Sequence, residues 1–319
     1  MAGTYEFLPF YYIYCIFSWL YQIKALFLQK KKVFAEIIRM NDFIIPFPQF
    51  RPEPDDVFYH YCSAESFKAI IENKTLRFCD LYHMNDKTEL KHGYFLFKTL
   101  LKESDMPAEQ QKLILSAFND IKNRFMLLSM SFSKIPDQLS QWRGYADDGK
   151  GFCIGFKASE LEDLPINILK AEYNIDNQCN LITNAINILK DNLDDKSYNI
   201  IAGLMELFAL LKNESFSEEH EYRLVHSVFI DIDYEERIYD IWKLDKKYRD
   251  YIKDDISFSL VDNIPTPYVD LFFNIHNREP ISNVIIGPKN NSEEIDVHLF
   301  LKSNNIKGVN VSKSTSSYR

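Results

Sequence analysis

Apolar residues recur along the chain with two different periods, which predict a mixture of strands and helices. Alternation at every second residue, or a short apolar run, predicts a strand, whereas a stripe at helical spacing predicts a helix. The predicted strands are 57–62, 76–78, 125–133, 152–156, 220–230, 268–273, 284–287 and 309–312. Because helices interrupt these strands at irregular intervals, the pattern favours an α+β fold with a mixed, mostly antiparallel central sheet and flanking helices.

The start of the chain has a different pattern from the rest. Residues 7–28 are almost continuously apolar and aromatic, and a run of three lysines follows them. This stretch has about the length that crosses a bilayer. Three interpretations are open: an accessory helix or a start assigned upstream of the true one at Met40, a membrane anchor, or a segment packed against the core.

The remaining sequence predicts a single domain. Residues 46–56 contain four prolines and predict a linker. We therefore expect an N-terminal extension and linker over 1–50 and one α+β domain over 51–319, with helical insertions near 178–212 and 231–265.

Composition and charge exclude several classes of function. Of the 319 residues, 46% are hydrophobic, which is ample for a core. The chain has 37 basic and 46 acidic residues, for a net charge of −9. This balance argues against generalised nucleic-acid binding, which needs Lys and Arg to neutralise phosphates, although a local basic groove stays open. The five cysteines form no CxxC pair, so we expect no disulfide framework or structural zinc and a cytoplasmic location.

One strand predicts a wet surface. In 125–133 the even positions are apolar, whereas Ser129, Ser131 and Ser133 occupy odd positions on the opposite face. Three hydroxyls on one face are more typical of the border of a cleft than of a dry core. Ser131 and Ser133 are therefore candidate binding residues.

Glycine marks a second candidate region. The chain has only 9 glycines, and Gly144, Gly149, Gly151 and Gly155 lie within twelve residues. The strand over 152–156 has a glycine-lined face, which lets either a ligand or another element approach the backbone closely. The candidate binding residues here are Trp142, Arg143, Tyr145 and Gly151.

A third region combines two carboxylates with an arginine. Alternation in the strand over 220–230 places Glu219, Glu221 and Arg223 on one face. This face is either a solvated sheet edge or a functional pair. In the second case like charges raise the pKa of one carboxylate while the arginine stabilises the other, which suits general-base work or a bond to a sugar hydroxyl.

His60 and Tyr61 end the first core strand and are candidates as well, although a lone histidine on a strand is often a core or rim residue. A metal site is a further alternative. No HExxH motif is present, but Asp86, Glu89, Glu219 and Glu221 suit Mg²⁺ if the fold gathers them.

Separated sequence blocks resemble one bacterial family, domain of unknown function 2971. They are YHYCSAESFKAIIENKTLRF, HMNDKTE, SFS, QWRGYADDGKGFCIGF, EEHEYRLV, VIIGP and the terminal Ser312 with Tyr318–Arg319. The resemblance runs from about residue 57 to 319 and adds Asn85, Asp86 and Arg319 to the candidate binding residues. Because some relatives are similar to abortive-infection proteins, it implies a phage-defence or toxin-like role.

The first block is also similar to the opening of ADP-ribosyltransferases. That superfamily carries a His or Arg on its first strand, a Ser or Tyr on a second and a Glu on a later one. The resemblance implies NAD as a co-substrate, His60 holding the nicotinamide ribose, Ser131 or Tyr145 on the second strand, and Tyr145 or Trp142 stacking on the nicotinamide. It gives Glu221 the role of bonding a ribose hydroxyl and stabilising an oxocarbenium-like transition state, with Glu219 completing an ExE pair.

Three functions therefore compete. The first is an enzyme of NAD chemistry acting on a nucleotide or nucleic-acid-related substrate. The second is a metal-dependent nuclease that uses the clustered carboxylates. The third is a non-catalytic module that senses a ligand or binds a protein partner.

Overall fold

The computed structural model describes residues 46–81, 89–123, 125–193, 197–231, 237–244, 246–275 and 278–318. They belong to the unit Ile44–Arg319. The predictions made for 7–28 lie outside the described residues, as do those for Asn85, Asp86 and Arg319. No helix in the described ranges is long and apolar enough to cross a membrane.

Eleven strands of the described chain join one sheet, and eight helices surround it. The strands are β1 (Val57–Cys62), β2 (Thr75–Asp80), β3 (Phe125–Ser133), β4 (Phe152–Lys157), β5 (Asn167–Lys170), β6 (Glu221–Asp231), β7 (Arg237–Tyr239), β8 (Ser257–Val261), β9 (Ile264–Phe272), β10 (Ile281–Ile286) and β11 (Asn310–Lys313). The helices are α1 (Ala64–Asn73), α2 (Glu89–Glu103), α3 (Ala108–Lys122), α4 (Leu139–Tyr145), α5 (Ala158–Leu161), α6 (Ile175–Asp191), α7 (Ser197–Leu210) and α8 (Glu294–Ser303).

The sheet has the order β11-β10-β4-β1-β3-β2-β9-β8, and β6 joins it through β3, β5 and β7. Only the β10–β11 pair is parallel among the described pairs. The sheet is thus mixed and mostly antiparallel, which confirms the predicted α+β class.

Strand β3 shares one of its edges between two partners. Its first edge pairs with β6 over the whole strand. Its second edge pairs with β1 at Tyr59↔Ser133 and with β2 at Cys79↔Ser129. Because β1 and β2 approach from opposite ends, the residues of β3 between these pairings, 130–132, pair with neither strand. The sheet therefore forks at this point, and we call this gap the fork.

The apolar face of the sheet carries the main core. Phe58 of β1 stacks on Tyr222 of β6, with ring centroids 4.6 Å apart, and lies 6.4 Å from Phe132 of β3. Helix α1 packs on this face through an inward stripe that includes Phe67 and Ile71. Its first turn is capped by Ser63, whose side chain accepts a hydrogen bond from the Ser66 amide, which satisfies one of the free N–H groups of that turn.

The two segments predicted as helical insertions differ from each other. Residues 178–212 contain most of α6 and all of α7. The described part of 231–265 instead contains β7, two short 3₁₀ helices and β8, so a helical insertion there is wrong. The reason lies in β8, where Phe258 and Leu260 alternate with serines at the strand period. The many charges around this strand conceal the alternation.

The glycine-lined face of β4 is covered by protein. A Cβ atom at Gly151 would overlap the carbonyl oxygen of Cys62, and one at Gly155 would overlap the side chain of Asn283 on β10. The sequence left a ligand and another element as alternatives for what approaches these glycines. In the structure it is another element of the chain.

We expect Gly151→Ala to destabilise the protein by about 2 kcal/mol, because the added methyl group must displace backbone that cannot move cheaply. The matched control is Gly144→Ala in α4, where the added Cβ has no neighbour within 4 Å. This variant should gain about 0.5–1 kcal/mol, because alanine loses less conformational freedom than glycine in a helix. Urea denaturation monitored by circular dichroism measures both changes. Equal stabilities of the two variants would contradict the packing role.

Candidate functional site

A cleft of about 670 Å³ opens at the fork. Its walls come from β1, β2, β3, β6, helix α4 and the segment that joins α7 to β6. Of the candidates in the described chain, the cleft gathers His60, Tyr61, Ser131, Ser133, Tyr145, Glu219, Glu221 and Arg223. His60 and Glu221, which are about 160 residues apart in the sequence, therefore meet in one site.

Four buried or nearly buried charges form one wall of the cleft. The Lys212 ammonium donates to Oε2 of Glu221 at 2.7 Å and also to Oε2 of Glu219. Arg223 donates from Nε to Oε1 of Glu221 and from Nη2 to Oε2, both at 2.9 Å. Arg223 is further fixed by its Nη1, which donates to the carbonyl of Ala209 at the end of α7. Two cations thus neutralise two carboxylates.

These cations keep Glu221 ionised. Burial by itself would raise the pKa of this carboxyl, but the charges of Arg223 and Lys212 and their hydrogen bonds outweigh burial and lower the pKa to about 2. A carboxylate with so low a pKa is a weak proton acceptor. It is suited to stabilising positive charge rather than to general-base catalysis.

Glu219 reaches the same wall from a different element than predicted. The strand begins only at Glu221, and Glu219 ends a 3₁₀ helix, Glu214–Glu219. His220 between them has a left-handed backbone with φ of 45°, so simple alternation does not relate the two carboxylates. Lys212 brings them together instead, and Tyr145 donates its hydroxyl to Oε1 of Glu219 at 2.9 Å.

His60 enters the cleft through the fork. Alternation along β1 places it on the core face with Phe58, and its ring lies 5.5 Å from Phe132. Its Nδ1 lies 3.0 Å from the carbonyl oxygen of Ser131, on the edge of β3 that neither β1 nor β2 pairs there. Because a carbonyl only accepts, Nδ1 carries the hydrogen and the neutral ring offers a lone pair at Nε2. Burial lowers the pKa of His60, which favours this neutral form.

The serine face of β3 lies along the floor of the cleft. Ser133 donates its hydroxyl to the carbonyl of Glu219 at 2.8 Å and so ties β3 to the 3₁₀ helix. Ser131 lines the cleft and is partly exposed, whereas Ser129 is buried. The Ser129 hydroxyl has no hydrogen-bond partner within the described residues. The predicted wet face is therefore at a cleft.

Tyr61 lines the cleft, but its hydroxyl is already bonded. It donates to the carbonyl of Ile135 at 3.0 Å and accepts from the Gln138 amide at 2.9 Å, which holds the β3–α4 loop. Burial raises its pKa, so the hydroxyl stays protonated. Tyr61 therefore contributes shape rather than a free polar group.

Residues 139–145 form helix α4. Gln141 and Tyr145, four residues apart, face the cleft. Trp142 points the other way: it is fully buried, donates Nε1 to Asp137 at 2.8 Å and packs edge-on against Tyr61. It therefore has no exposed face on which nicotinamide could stack. The reason is the helical period, which places residue 142 on a different side of α4 from residues 141 and 145.

Two further candidates lie away from the cleft. Arg143 is exposed, with its guanidinium 5.9 Å from the ring centre of Tyr318. Gly151 packs on Cys62 and does not line the cleft either.

The cleft is also lined by three polar residues that no sequence pattern singled out, namely Lys212, Gln141 and Arg77. The sequence does contain a signal for Lys212, which follows the apolar run of α7. A lone cation at the end of a buried helix needs a buried anion as its partner. Arg77, on the edge of β2, had no comparable signal.

Of the four carboxylates proposed for a metal site, the cleft contains Glu219 and Glu221. Asp86 and the side chain of Glu89, the first residue of α2, lie outside what the structure describes. Glu219 and Glu221 share Lys212, which occupies the position between them that a cation would take. Nowhere in the described ranges do three His, Cys, Asp or Glu side chains form a metal-binding group.

Residues 141–224 match the family model described as protein of unknown function (DUF2971). Over these residues the chain is similar to this family, which confirms the resemblance seen in the sequence for that segment. The similarity to ADP-ribosyltransferases stays a prediction. Comparison with curated proteins and with solved structures gives no match. The DUF2971 segment contains Tyr145, Lys212 and the Glu219–Arg223 wall, while β1, β2 and β3 precede it.

We expect Lys212→Met to destabilise the protein by about 3 kcal/mol at neutral pH, because it leaves buried negative charge without its cation. In the wild type, Glu221 has a lower pKa when folded than the ordinary value of 4.5, so it contributes about 3 kcal/mol above pH 4.5. That contribution is lost as the pH falls from 4.5 towards 2. Because the variant raises the folded pKa, its stability should fall less steeply over this range.

Urea denaturation between pH 2 and 7 measures both effects, with the exposed Lys112→Met as the matched control. If Lys212→Met and Lys112→Met have the same stability and the same acid dependence, the charged wall is not neutralised as described.

Proposed function

We propose that the cleft catalyses NAD-consuming ADP-ribosyl chemistry. The observation that carries this proposal is the convergence of His60, Tyr145, Glu219 and Glu221 on one cleft at the fork. These side chains come from three separate regions of the chain and had been selected from the sequence by their resemblance to that superfamily. Their meeting in space supports the proposal because one substrate can contact all of them.

The reaction breaks the bond between C1′ of the ribose and the nicotinamide nitrogen. Nicotinamide leaves with the bonding electron pair as a neutral molecule, and positive charge develops on the ribosyl carbon and ring oxygen. A nucleophile, either water or a group on an acceptor molecule, forms the new bond to C1′ and loses its proton. A nucleotide or nucleic-acid-related acceptor would make the reaction a transfer, and water would make it a hydrolysis.

The side chains have distinct roles in this scheme. Glu221, with its pKa of about 2, stays anionic at every physiological pH and stabilises the developing positive charge. Glu219, whose side chain is 13% exposed against 6% for Glu221, orients the acceptor. Tyr145 is 45% exposed, and its ring provides a stacking surface for nicotinamide. The neutral His60 accepts a hydrogen bond from a ribose hydroxyl at Nε2.

The decisive assay is the release of nicotinamide from NAD, with and without bacterial extract as a source of acceptors. We expect Glu221→Gln to lower the rate at least 100-fold, because removal of one preorganised electrostatic group at a reacting centre has effects of about 10²–10³. The matched control is Glu214→Gln, an exposed carboxylate in the 3₁₀ helix, which should retain the wild-type rate.

Because Glu221→Gln also removes a buried ion pair, Tyr145→Phe serves as a second variant. It keeps the ring, loses only the hydroxyl that donates to Glu219, and should reduce the rate while melting within a few degrees of the wild type. The proposal fails if the wild type releases no nicotinamide in either condition, or if Glu221→Gln matches Glu214→Gln.

A ligand-sensing module is the second candidate, and one observation favours it. Both oxygens of Glu221 already accept hydrogen bonds from Arg223 and Lys212, so the carboxylate has a structural role without any substrate. In this case the wild type binds nucleotides without consuming them.

The phage-defence or toxin-like role implied by the resemblance is part of the proposal. For this role, overexpression of the protein should arrest the growth of the bacterial host, and Glu221→Gln should abolish that arrest. A cytoplasmic location also stays a prediction.

A further inference from the structure

The floor of the cleft contains a buried polar atom that the protein itself leaves unused. Ser129 is 1% exposed, and its hydroxyl has no hydrogen-bond partner in the described ranges. A buried hydroxyl without a partner costs about 1–3 kcal/mol, so native proteins rarely keep one that has no purpose. Ser129 lines the cleft at the point where β2 leaves β3.

An arginine stands beside this hydroxyl. Cys79 of β2 pairs with Ser129, and continuing this register by two residues places Arg77 opposite Ser131, where the strands no longer pair. Arg77 lines the cleft and its guanidinium is held in place. Nε and Nη2 donate to Asp270 at 2.8 and 3.0 Å, and the group lies 3.8 Å from the ring centre of Tyr268. A guanidinium fixed in this way keeps Nη1 available and loses little entropy on binding.

The balance of charge in the cleft is opposite to that of the whole protein. The charged side chains that line it are Arg77, Lys212, Arg223, Glu219 and Glu221, so cations exceed anions there. The chain as a whole has a net charge of −9. Lys212 and Arg223 are paired with the two glutamates. Arg77 is paired with Asp270, which does not line the cleft, so the guanidinium is fixed without adding a further carboxylate to the lining.

We propose that Arg77, Ser129 and Ser131 form a subsite for the phosphate groups of a nucleotide. A guanidinium N–H from β2 and two hydroxyl donors from the neighbouring strand β3 suit the several acceptor oxygens of a phosphate. Across the β3–β6 pair, Ser131 is in register with Arg223 and Ser129 with Val225, two and four residues along β6 from Glu221. One ligand therefore reaches both the subsite and Glu221 when a diphosphate is joined to a ribose. This inference rests on the proposed function for the identity of that ligand, but the subsite itself does not depend on any reaction.

The experiment is calorimetric titration of the full-length protein with ADP, and with adenosine as the uncharged comparison. We expect wild type to bind ADP more tightly than adenosine. Ser129→Ala should weaken ADP binding about tenfold, because it removes a hydrogen bond to a charged group, and leave adenosine binding unchanged.

The matched control is Ser140→Ala, which removes another buried hydroxyl that has no partner in the described residues but does not line the cleft. It should bind ADP as wild type does. Both variants should fold, because each deletes a hydroxyl that makes no bond in the described structure. Thermal melts verify this.

Two results would overturn the subsite: ADP binding by Ser129→Ala equal to that of wild type, or wild-type binding of ADP no tighter than that of adenosine. Failure of the proposed reaction gives a different result. If no nicotinamide is released but ADP binding depends on Ser129, the NAD chemistry is wrong and the phosphate subsite stands.

Discussion

The pairing of β3 is the constraint on which the rest of the site depends. One edge of this strand is fully occupied by β6, and the other edge has to serve both β1 and β2. Since the two partners arrive from opposite ends, the backbone groups between them have no strand to pair with. The His60 ring donates a hydrogen bond to the carbonyl of Ser131 in place of such a strand. Every buried backbone polar group needs a partner, so the fork both opens the sheet and fixes the histidine that enters it. A fully paired β3 would have no cleft.

Charge neutralisation inside the cleft is the second organising interaction. Burying Glu221 without cations would be far more costly than the net stability of a domain allows. Shared ion pairs consequently hold three elements in one arrangement. These are the residue Lys212 after α7, the 3₁₀ helix that ends at Glu219, and strand β6. Such buried pairs seldom add net stability compared with apolar residues of the same size. This argues that the cluster serves specificity or chemistry.

The outer wall of the cleft is positioned from a distance. Helix α4 carries Tyr145, and the loop before it is fixed at Asp137, which accepts hydrogen bonds from Trp142 and from the C-terminal residues Ser314 and Thr315. Burial would raise the pKa of Asp137, but these hydrogen bonds lower it, so it stays an ionised acceptor. The C-terminal segment therefore orients a residue of the cleft without lining it. Gly151 acts in the same indirect way, since the absence of a Cβ lets its backbone approach the carbonyl of Ala146, the residue directly after α4.

Local pattern determined the elements of this protein, and long-range pairing determined its site. The bounds of β3 and its serine face follow from the sequence alone, because side chains on a strand alternate regardless of what the strand pairs with. The same rule would separate His60 from Ser131, since it places them on opposite faces, and only the fork allows both to line one cleft. Glu219 lies outside the strand that alternation assigned to it, and Trp142 faces the core because α4 follows the helical period. Lys212 and Arg77 joined the site only through tertiary contacts. Periodicity records which face of an element is buried, whereas the position of an unpaired edge depends on partners that lie far away in the chain.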